Sequence, residues 1–102
     1  MHSLNYINAK MYNAVYIFAT DEGDARRRLA AAIPYLQMIP PELLPEKYQK
    51  DFRWAMETIE RGRSKYRNGR ADYTLPHIKN GTASKVLKIL VNIQDGIESQ
   101  LD

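Results

Sequence analysis

Cysteine is absent from this chain. That excludes disulfides, thiol nucleophiles and zinc sites built on thiolates. Histidine is scarce: His2 lies near the start and His77 sits in Leu75-Pro76-His77-Ile78, with no Asp or Glu at ligand spacing. A zinc or iron site needs three or four ligands, so no metal is expected and His77 reads as a loop residue. The five glycines (Gly23, Gly62, Gly69, Gly81 and Gly96) form neither a dinucleotide fingerprint nor a Walker loop. No Gly-x-Ser-x-Gly elbow occurs. The longest strongly apolar stretch, residues 14–19, is far too short to span a bilayer, and no charged start with an apolar core marks a signal peptide. The expectation is a cytoplasmic protein with no membrane partner.

Carboxylates cluster twice, at Glu57 and Glu60 and at Asp21, Glu22 and Asp24. Surface pairing with Arg53, Arg61 and Arg63 accounts for the first cluster, and helix capping for the second. Acid–base catalysis would need carboxyls in environments that push their pKa values apart. We therefore expect no enzyme activity and no cofactor.

What is present is 102 residues with 44% apolar and 26% charged side chains. These values suit one folded domain; two cores in so short a chain would each be too small. The net charge of +3 is unevenly placed. Residues 1–60 hold seven basic and eight acidic side chains, residues 61–88 hold eight basic and one acidic, and residues 89–102 hold three acidic and none basic. The basicity belongs to one segment.

Hydrophobic periodicity near 100° per residue predicts four helices, about 4–19, 21–38, 42–61 and 82–100. The first aligns Leu4, Ile7, Met11, Ala14, Val15 and Phe18, although its β-forming run Tyr12–Phe18 also admits a strand. Thr20 with Asp21 and Glu22 reads as the start of the second, which aligns Ala25, Leu29, Ala32, Ile33 and Leu36. Pro34 predicts a kink or break there. The third aligns Tyr48, Phe52, Ala55, Met56 and Ile59, with Gly62 as a left-handed stop. The fourth aligns Ala83, Val86, Leu87, Leu90, Ile97 and Leu101. Gly96 inside it should cost about 1 kcal/mol relative to alanine. Between them, the connector 63–81 loses periodicity. Asn68-Gly69 signals a hairpin pairing Tyr66 with Ala71 and Arg67 with Arg70, but two facing arginines make a plain turn equally acceptable. Leu75 and Ile78 read as anchors to the core. The fold class is all-α: a compact four-helix domain, an antiparallel bundle or an orthogonal array, with a basic connector between helices three and four.

Three surfaces stand out. The connector carries Arg61, Arg63, Lys65, Arg67 and Arg70 interleaved with Tyr66 and, beyond them, Tyr73. Such a pattern suits phosphate neutralisation with base stacking, or arginine pairing with a partner's carboxylates. Trp54 projects roughly 140° from the centre of the third helix's apolar stripe. Either another part of the chain covers it, the connector tyrosines being candidates, or it anchors a partner. Tyr6, Tyr12, Tyr16 and Ile17 make the first helix apolar nearly all round, which fits a central helix or a homodimer contact. The expected function is a small noncatalytic interaction module, an adaptor, regulator or inhibitor, that binds a protein partner through Trp54 and the connector. Nucleic-acid binding through the same cations is the alternative.

Overall fold

Four amphipathic segments become four helices in the computed structural model, which describes residues 4–64, 66–67, 70–71 and 73–101. They are α1 (Leu4–Thr20), α2 (Ala25–Leu36), α3 (Glu46–Gly62) and α4 (Asn80–Leu101). The protein is thus an all-α four-helix domain, with extents of 41 × 26 × 23 Å. Residues Tyr66–Arg67 (β1) and Arg70–Ala71 (β2) form a minimal antiparallel ladder. Its register, Tyr66 opposite Ala71 and Arg67 opposite Arg70, is the one the Asn-Gly turn predicts. The next pair that this hairpin register would make, Lys65 with Asp72, lies outside the described residues.

Helix boundaries differ from the periodicity where local chemistry intervenes. Thr20 does not open α2. It ends α1, and its hydroxyl donates back to the Tyr16 carbonyl at 2.7 Å. The N-cap of α2 is Asp24, whose Oδ1 accepts from the Arg27 amide at 2.9 Å. Gly23, just before it, takes a φ of +114°, a conformation that disfavours any side chain. Pro34 stands exposed in the last turn of α2, and the helix ends two residues later, short of residue 38. The expected helix 42–61 is divided: Pro41–Leu43 form a 3-10 turn, Leu44 and Pro45 are extended, and α3 follows. Asn80 and Gly81, placed in the connector by the loss of periodicity, belong to the first turn of α4.

Helices α1, α2 and α4 pack on one another, while α3 lies mainly against α4 and the 3-10 turn. The common core includes Ile7, Met11, Leu29, Ile33, Phe52 and Leu90, all fully buried. Fully burying a side chain of this size stabilises the fold by roughly 1.5–3 kcal/mol. Leu75 and Ile78 are buried as well, so the connector is anchored at the two positions its sequence marks.

Two glycines set the spacing of the face that α3 and α4 share. A Cβ on Gly96 would coincide with the Tyr48 hydroxyl and the end of its ring. A Cβ on Gly62 would fall 2.9 Å from Cβ of Ile78. Gly62 is therefore a buried helical residue at a close approach, not a left-handed stop; Arg63 after it is extended. Tyr48 near the start of α3 thus meets Gly96 late in α4, and Gly62 at the end of α3 meets the residues leading into α4. The two helices run antiparallel, and the central turns of α3 face the first half of α4.

Candidate functional site

The antiparallel pairing of α3 with α4 decides the surroundings of Trp54. Its ring is half-buried at the edge of the core, and Nζ of Lys85, from α4, stands 5.3 Å from the ring centroid. An ammonium over indole is attracted to the negative ring face, by about 0.5–1 kcal/mol at such exposure. The cover on Trp54 thus comes from α4. Of the expected connector tyrosines, Tyr73 is engaged elsewhere and the Tyr66 side chain lies outside the described residues.

Beside Trp54 runs a shallow groove lined by Glu46, Gln49, Lys50, Arg53, Trp54 and Glu57. These positions recur at three- and four-residue steps, so they share one side of α3. Gln49 fixes the N-terminal end of the groove, its amide donating to the carbonyls of Leu44 (2.9 Å) and Glu42 (3.3 Å). The groove walls carry two carboxylates and two cations.

Past Trp54 the character changes. The buried Thr58 hydroxyl donates to the Trp54 carbonyl at 2.8 Å, and Arg61 Nη2 donates to that hydroxyl at 3.4 Å. Arg61 is otherwise exposed. Arg63, in contrast, is turned inward. Its side chain is only 11% exposed, pairs with Glu60 at 3.3 Å and lies over the Tyr73 ring at 5.2 Å from the centroid. Together with the Ser64 amide on the Thr74 carbonyl and the His77 amide on the Gly62 carbonyl, it staples the connector's ends to α3. Of the cations expected to meet a partner, then, Arg61 faces outward and Arg63 holds the chain together. Lys65 and the side chains of Tyr66, Arg67 and Arg70 lie outside the described residues.

The aromatic surface of α1 is real but separate. Tyr12 and Tyr16 are about half exposed, with rings stacked at 6.3 Å and 22°. Tyr6 packs against the core with Lys10 above its ring, and Ile17 is half-buried. Just beyond the C-terminal end of α1, Asn80 bridges α4 to α2: it accepts from the Arg26 amide at 3.1 Å and donates to Asp24 Oδ2 at 3.3 Å. The Arg27 amide holds the Asp24 carboxyl below its ordinary 3.8, and Asn80 and the charges of Arg26 and Arg27 act in the same direction.

Among the described residues, no group of three or more His, Asp or Glu is arranged to hold a metal. No described helix is long and apolar enough to cross a membrane. Sequence reasoning missed Lys85 as the partner of Trp54, because the two residues lie on different helices whose register depends on Gly62 and Gly96. It also missed Lys79 and His77 as neighbours of Arg61. The only signal was Leu75 and Ile78, which tie that loop to the core. No protein-family model matches the chain, and no significant match appears among curated proteins or solved structures.

Proposed function

We propose that this protein is a noncatalytic helical interaction module that grips a polypeptide partner along α3, with Trp54 as the anchor. The observation that carries the reading is the seating of Trp54. The ring is fixed on one side by the core and Lys85, and open on the other to a groove whose walls carry both signs of charge. A half-buried, pre-oriented indole loses little freedom on binding, which is why tryptophan is enriched among binding hot spots. Glu46 and Glu57 in the groove disfavour a polyanion lying along it, whereas a polypeptide can answer carboxylates and cations in turn. The connector, with Arg61 at its head, would flank the same partner. An adaptor, a regulator and an inhibitor are all served by such a surface.

The test is affinity capture from the source cell with three baits: the natural chain, Trp54→Ala and Arg53→Glu. Arg53 is exposed, so its reversal leaves folding intact while inverting one wall of the groove. A protein partner held by the natural chain should weaken about 30-fold with Trp54→Ala, the effect of losing a hot spot of about 2 kcal/mol. It should also weaken with Arg53→Glu. Equal retention by all three baits would remove the groove from the proposal. Nuclease-sensitive capture would transfer the reading to nucleic acid.

A further inference from the structure

A second hollow lies one turn beyond Trp54, where the end of α3 meets the loop before α4. Its volume is about 240 Å³, and its lining includes Arg61, His77, Lys79, Thr58 and Thr82. The floor is the close contact of Gly62 with Ile78, which are both buried. The rim is a guanidinium, an imidazole and an ammonium, all on exposed residues. No acidic residue lines it, and among the described residues none of the three rim groups is paired with a carboxylate. The Thr82 hydroxyl likewise has no hydrogen-bond partner among them. Three elements therefore bring donors to one small concavity; apart from the Thr58 hydroxyl, which accepts from Arg61, no acceptor among the described residues meets them, and no carboxylate does.

We propose that this hollow receives a phosphoryl group carried on a side chain of a polypeptide. A phosphorylated side chain brings about −1.5 to −2 charges and three strong acceptor oxygens at neutral pH. The guanidinium of Arg61 can meet two of those oxygens in its planar fork, and Lys79 adds a mobile point charge. The hollow takes one such group rather than a run of phosphates. The separate groove on the same helix carries Glu46 and Glu57, which oppose a polyanion extended along α3. The choice of a polypeptide carrier rests on the partner reading given above; the anion site itself does not.

The experiment is a titration of the isotope-labelled full chain, followed by amide and imidazole resonances. The probes are O-phosphoserine, serine, inorganic phosphate and a single-stranded oligothymidylate. Phosphoserine should give saturable shifts centred on Gly62, His77 and Thr82, and serine none. Arg61→Gln and Lys79→Gln should each weaken it about tenfold, the scale of one lost charge-assisted hydrogen bond. Tyr12→Ala, on the exposed face of α1, should leave it unchanged. Absent or diffuse shifts would overturn the site. Inorganic phosphate binding more tightly than phosphoserine would overturn the carrier in favour of a free anion. Oligothymidylate displacing phosphoserine at lower concentration would overturn it in favour of nucleic acid. Loss of the site with capture through Trp54 intact would leave the groove reading standing, and the reverse pattern would remove the groove alone.

Discussion

Gly96→Ala is the substitution for which the structure and simple propensity predict opposite signs. Replacing a glycine inside a helix by alanine stabilises it by about 1 kcal/mol, because alanine loses less freedom on ordering. Here the new methyl would occupy the place of the Tyr48 hydroxyl. The tyrosine is half-buried against the core, with Lys47 over its ring at 5.1 Å. It must therefore swing outward and give up packing, and overfilling a packed contact costs about 1–3 kcal/mol. The net expectation is a loss of about 1 kcal/mol, or a melting temperature lower by about 4–8 °C for a domain of this size. The decisive assay is a double-mutant cycle by denaturant melts. In a Tyr48→Ala background the obstacle is gone, and Gly96→Ala should stabilise by about 1 kcal/mol. The sign should thus change with the background, giving a coupling of about 2 kcal/mol. An equal stabilisation in both backgrounds would refute the contact between α3 and α4, and with it the positions of Lys85 and Trp54.

Other perturbations probe the remaining joints. Gly62→Ala should destabilise by about 1–3 kcal/mol, since Cβ of Ile78 cannot withdraw as a side-chain tip can; a melt no lower than that of the natural chain would contradict this. Asp24 has its carboxyl depressed in the folded state, so its contribution to stability is present above its ordinary 3.8 and is lost as the pH falls through the lower folded value. Melts of Asp24→Asn against the natural chain should therefore differ at neutral pH and converge under strong acid, and a pH-independent difference would deny the effect. Arg63→Ala should speed amide exchange at Ser64 and His77, which the connector staple protects, without altering exchange in α1. Tyr12→Lys with Tyr16→Lys should change stability by no more than about 0.5 kcal/mol, as expected of solvent-facing positions, whereas a larger, concentration-dependent loss would show that a second copy covers α1.

Much of the architecture is readable in the residues because burial has a period. The stripe of Ile7, Met11, Ala14 and Phe18 and that of Ala83, Val86, Leu87 and Leu90 are buried as the spacing predicts. Tertiary burial overrides the β-forming run in α1, which is helical throughout. Boundaries were less readable. Thr20, Asp21 and Asp24 are all competent caps, and the choice fell to Asp24, which Asn80 reaches from 56 residues away. Thr58 is polar in the sequence, yet it is buried because its hydroxyl is satisfied by the helix itself. The same limit applies to the site. The angle of Trp54 on its helix follows from the sequence, but its cover by Lys85 depends on how closely two helices approach. The arginines of the connector look equivalent in the sequence. Only the fold separates Arg63, stapled to Glu60 and Tyr73, from Arg61 at the rim of a hollow.

The central claim is that Trp54 is a binding anchor for a polypeptide. The chain has one tryptophan, so labelling with 5-fluorotryptophan places a single fluorine resonance at the groove. That resonance should be followed while size-fractionated, nuclease-treated protein from the source cell is added, and separately while mixed-sequence nucleic acid is added at physiological salt. The account predicts that one protein fraction shifts or broadens the signal, that Arg53→Glu weakens the response, and that nucleic acid leaves it unchanged. A signal indifferent to every protein fraction, or one moved by nucleic acid alone, would contradict it.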